Sequence, residues 1–198
     1  MNIIVYLALW ICIPIFLHLF LAIPLSRIIN MEVQYINWAA AGIWVVSGGM
    51  TSFLETSIKI HKINYETSQI DVILKSPISN FELLTAILLR GVILGFIQFI
   101  ISIFITCTLN HEYLGILNVL MIIIHLMTVI LFFSVFGIFL GLIISRRIIL
   151  SQLSLILFII ICLGMGLFIP TNIYPESYLF IINKIPLVMI FQNLQSII

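Results

Sequence analysis

Five runs of mostly apolar residues, at about 3–25, 37–58, 80–108, 116–144 and 149–169, govern what this chain can become. A spanning helix needs roughly 20 such residues at a rise of about 1.5 Å each. Inside lipid, only a helix satisfies every backbone donor and acceptor within its own segment. All five runs are therefore expected to be membrane-spanning helices, which makes the chain an all-α polytopic bundle and a single transmembrane domain over 1–198. Composition argues the same way. The chain is 63% hydrophobic and 8% charged, about a third of the charge that a water-soluble domain carries. Its net charge of +1 points to no nucleic acid and to no acidic partner.

The first run has no basic segment before it and no A-x-A cleavage site, and it is long enough to cross, so it reads as a retained span. Pro14 should kink it. Cys12, Cys107 and Cys162 lie singly inside apolar runs, without disulfide or metal spacing, and no metal or other cofactor is implied. Orientation follows from the loops. Lys59, Lys62, Lys75, Arg146 and Arg147 fall on one side, against Arg27 and Lys184 on the other. The 59–79 and 145–148 loops are thus expected to face the cytoplasm of a cell with this protein in its plasma or inner membrane. The segment 170–184 lies outside. Residues 185–198 are apolar but too few to cross, and they read as the start of an incomplete sixth span.

The polar insert between the second and third runs is the least ordinary stretch. On a helix, Ile63, Ile70, Ile73 and Leu74 fall on one side and Asn64, Ser68, Asp71 and Lys75 on another, so 62–75 reads as an amphipathic helix on the membrane surface. Ser76-Pro77 breaks it. Ser79-Asn80-Phe81-Glu82 then has the form of a capping box, with Ser79 as N-cap and Glu82 three positions on, which fixes where the third span begins.

The stretch "ETSQIDVILKSPISNFELLTAILLRGVILG" resembles the segment between spans two and three of type-2 ABC exporter permeases. In that family a polar helix leads through a Ser/Thr-Pro corner to Glu-Leu-Leu. The later "FIPTNIYPESYLFIINKIPLVMIFQNL" is similar to the family's outer segment, and the likeness runs over about 37–198. It implies a coupling helix that docks on a separate cytoplasmic ABC ATPase, with Tyr65, Glu66, Ile70, Asp71, Leu74 and Pro77 as the coupling residues. It also implies a second permease copy, as a homo- or heterodimer, and export as the activity. Ala86 stands where the family often has lysine, and Arg90 lies one turn further on. The family's docking-helix glycine is missing.

The chain has no G-x-x-x-x-G-K-[ST] loop, so it is expected to be a transporter subunit rather than an enzyme, with ATP hydrolysis supplied elsewhere. Charged residues inside a span are costly and call for partners. Glu55 is expected to pair with Lys59 one turn on, or alternatively to relay protons. Arg90 is expected to snorkel to the interface. His18 and His125 admit a bis-histidine haem site or hydrogen-bonded interior roles, and His61 and His111 read as loop residues. The spacings Gly91-x-x-x-Gly95 and Gly137-x-x-x-Gly141 mark close helix packing, with a dimer contact as the second reading. A non-transporting membrane scaffold and a haem-binding membrane subunit are the rival functions.

Overall fold

The computed structural model describes residues 3–29, 34–66, 79–111 and 114–197, all of them helical or irregular, with no strand among them. Helix α1 covers 3–26, with a π-helical stretch at His18–Ala22. α2 is Tyr35–His61, prolonged by a π-helical stretch at Lys62–Glu66. α3 is Asn80–Asn110 and α4 is Ile116–Ile143. α5, Arg147–Ile159, also widens into a π stretch at Ile160–Gly164. Two short helices follow, α6 at Glu176–Ile182 and α7 at Pro186–Gln195.

Among the described residues four helices are long and apolar enough to cross a membrane, Ala8–Ser26, Asn80–Asn110, Ile116–Ile143 and Arg147–Gly164. A fifth is added if α6 and α7, bent by 101° at their junction, count as one broken span. Among the described residues the all-helical architecture stands, with four or five candidate spans against the expected five complete spans and a partial sixth. α2 is not among the helices apolar enough to qualify, although its 27 residues extend about 40 Å. The reason lies in its place. It is the hub, packed between α3 and α4 with α1, α5 and α7 around it. Nineteen of its 27 residues are buried, among them Ala39, Ala40, Ala41, Gly48 and Gly49. A helix shielded from lipid has no need of a lipid-like surface.

Small residues let the neighbours close on this hub. A Cβ on Gly95 would stand 2.8 Å from the Gly48 carbonyl oxygen, and one on Gly137 would stand 2.6 Å from that of Phe53. Both G-x-x-x-G pairs are therefore used inside the chain, against α2, and not between copies. Hydroxyl groups supply the rest of the adhesion. Ser52 and Ser134 hydrogen-bond across α2 and α4, and Trp44 Nε1 donates to Thr106 Oγ1 at 2.6 Å across α2 and α3.

Pro14 shows how one defect is mended. Its ring nitrogen has no hydrogen, so the Trp10 carbonyl one turn back loses its helical partner. Gln98 of α3, fully buried, donates to that carbonyl from Nε2 at 2.9 Å.

The fifth expected span ends early. Helix gives way at Gly164, and 165–169 is irregular although Leu167 and Phe168 are fully buried. Gly166, at φ +80°, makes the turn, a conformation that costs a side-chain-bearing residue. Five of the freed carbonyls are given a donor by side chains. Tyr174 and Tyr178 hydroxyls serve Leu163 and Gly164, Gln195 Nε2 serves Gly166 and Leu167, and the Tyr35 hydroxyl serves Phe168. α7 then lays Val188, Phe191 and Leu194 into the core instead of beginning a straight sixth span.

Candidate functional site

The polar insert is attached to the bundle at both ends. At its start α2 does not stop but continues as the wider turn Lys62–Glu66, so the insert grows out of the hub helix. Ile63 is buried with Ile60 and Ile87, as its place on the apolar side of the insert requires. His61 is the last residue of α2 and is buried, not a loop residue. Its Nε2 lies 3.2 Å from the Ser145 carbonyl oxygen in the turn between α4 and α5. The Tyr65 hydroxyl donates to the Leu142 carbonyl oxygen at 2.6 Å, and the His61 and Tyr65 rings stand 5.3 Å apart. The last carbonyls of a helix lack partners within it. Here one end of the insert supplies a donor to the last turn of α4. Tyr65, assigned to an ATPase contact by resemblance, thus spends its hydroxyl on the bundle while its ring is 43% exposed.

The other end is the capping box. Ser79 Oγ accepts from the Glu82 amide at 3.2 Å, and the Ser79 amide donates to Glu82 Oε2 at 2.8 Å. Two amides at the start of α3 are satisfied by one reciprocal pair, so α3 begins at a fixed residue. Glu66 belongs to the π-helical stretch. Ile70, Asp71, Leu74 and Pro77 lie outside the described residues.

Glu55 and Arg90 form one unit. Arg90 Nη2 lies 3.4 Å from Glu55 Oε2, joining α2 to α3. The expectations placed Glu55 with Lys59 and Arg90 at the interface; the structure adds this interhelical pair, with the Arg90 side chain 56% exposed. Spacing along one helix could suggest the first pair, but nothing local in the sequence signals a contact between residues 35 positions apart. His18 is buried in α1, while His125 on α4 turns Nδ1 to the Met121 carbonyl oxygen of its own helix at 2.8 Å. Among the described residues no group of three or more His, Cys, Asp or Glu side chains is placed to hold a metal ion. His111 ends α3 in the left-handed conformation, φ 53°.

A second feature went unread in the sequence. A groove of about 890 Å³ runs between α1, α2 and α5, with Arg147, Ser151, Ser154 and Phe158 along its α5 wall. These four recur at helical spacing, i, i+4, i+7 and i+11, which is the signal that could have announced it.

No family model, no curated protein and no solved structure matches this chain.

Proposed function

We propose that the chain is the permease subunit of an ATP-driven exporter of the type-2 ABC class. It would work in a cell membrane with a separate cytoplasmic ATPase and a second permease copy. One observation carries this reading, the anchorage of the insert at both ends. His61 and Tyr65 tie its beginning to the α4–α5 turn, and the Ser79–Glu82 box ties its end to α3. A force applied to such an insert reaches α2, α3 and the α4–α5 turn together, because packed helices move as units. The chain has no phosphate-binding loop of its own, so the force would come from another polypeptide.

Co-purification tests the reading. The double substitution Glu66→Lys and Asp71→Lys should abolish association with an ABC ATPase while the protein still inserts and folds. Undiminished co-purification with that ATPase would remove the reading, as would reagent labelling that places the insert on the face away from the cytoplasm.

A further inference from the structure

The groove between α1, α2 and α5 has three properties that together identify an occupant. First is its length. Its α5 wall runs from Arg147 to Phe158, about 17 Å along the helix, close to the roughly 15 Å of one leaflet's hydrocarbon.

Second is its surface. Met50 and Leu150 are buried in the floor, and the Ser47 and Ser154 hydroxyls, also buried, are spent on the Ile43 and Leu150 carbonyls of their own helices. Those two serines therefore leave no donor for a polar cargo. The lips are apolar and open: Phe16 and Phe20 stack at 4.6 Å on α1, and Leu155 faces outward on α5. Third is its charge. Arg147 lines one end, with Arg146 beside it in the α4–α5 turn, and both are exposed.

We propose that this groove holds an acyl chain of an anionic phospholipid, its phosphate lying against Arg147 and Arg146. A groove one leaflet deep, mostly apolar with Thr51 and Ser151 as its remaining hydroxyls, and positive at one end, matches a single leaflet lipid in shape and charge. The inference stands apart from the exporter reading, since it needs no ATPase and no transport step.

The experiment uses the full chain in phosphatidylcholine vesicles without any partner protein. A small fraction of phosphatidylglycerol or of phosphatidylcholine carries a photoactivatable diazirine on one chain, and adducts are mapped by mass spectrometry. The phosphatidylglycerol probe should label Phe16, Phe20 and Leu155 about fivefold more than the phosphatidylcholine probe does. It should also label them well above the outward-facing Phe104 and Phe139. Arg147→Gln should erase the headgroup preference, and Thr51→Trp, which fills the groove, should erase the labelling itself. If Thr51→Trp does not fold, the two probes on the unaltered chain still decide. Equal labelling by both probes, or labelling spread evenly over all lipid-facing residues, would overturn the proposal. So would copy-to-copy crosslinking through Cys12 in a Cys107→Ala, Cys162→Ala chain, because a second copy would then fill the groove.

Discussion

α2 and α5 are built on opposite rules. Eleven of the 27 residues of α2 are Ala, Gly, Ser or Thr, set among large apolar side chains, and most of the helix is buried. α5 is rich in Leu and Ile, and of its 13 residues Leu150 and Ser154 are the two that are buried. In water the apolar helix would be the inner one. In a bilayer the tails of lipids solvate Leu and Ile as well as a protein core does, so apolarity alone draws no helix inward. Close backbone approach and hydrogen bonds do, and these require small and hydroxyl-bearing residues. The chain places such residues at the centre and shows its most lipid-like surfaces to the outside.

The contrast can be broken most directly at Gly137. Gly137→Leu would drive its side chain into the Phe53 backbone, which cannot move aside without bending the hub. The expected loss is about 3 kcal/mol or more, read from unfolding in mixed detergent. Leu155→Ala on the exposed face of α5 should change stability by less than about 0.5 kcal/mol. Similar losses at the two sites would mean that α2 is not the hub.

A cycle at Pro14 and Gln98 examines how a peripheral helix is held to the centre. Gln98→Leu alone should cost about 1–3 kcal/mol by removing the side-chain donor to the Trp10 carbonyl. Pro14→Ala restores the helical amide, so the double variant should recover most of that loss; additive losses would show that Gln98 acts otherwise. Smaller effects are expected from the hydroxyl contacts. Ser134→Ala should cost about 0.6 kcal/mol, and Trp44→Phe up to about 1.7 kcal/mol, the range of such bonds in membrane bundles.

The smallest effect concerns the irregular segment after α5. Burial first, and then the neighbouring Tyr178, raise the pKa of the Tyr174 phenol, which keeps it protonated as the donor to Leu163. The folded value exceeds the unfolded one, so this contribution is complete below about pH 10 and fades as pH climbs through the raised value. Tyr174→Phe should flatten the alkaline end of the stability profile and, by removing the donor to Leu163, lower stability at neutral pH by about 0.5 kcal/mol. An unaltered alkaline limb would show that the phenol does not titrate with unfolding.

The capping box could be read before any coordinates because its four residues are covalent neighbours and its bonds span three positions. The G-x-x-x-G pairs were likewise legible as close-packing sites, for their spacing is a property of one helix. What they pack against was not. The same limit explains the insert. Its location and its capped end follow from local pattern, whereas its tie to the last turn of α4 depends on Tyr65 meeting Leu142, 77 positions away.

Local chemistry therefore committed this chain to helices long and apolar enough to cross a membrane. Runs of apolar residues leave the backbone no other way to satisfy its donors and acceptors in lipid. Assembly then chose among arrangements that all share that property. It made the least apolar long helix the hub, paired Glu55 with Arg90, unwound the chain beyond Gly164 and left a groove beside Arg147. These outcomes rest on contacts between distant segments, where steric fit and the matching of single donors to single acceptors decide. No periodicity within one segment encodes them.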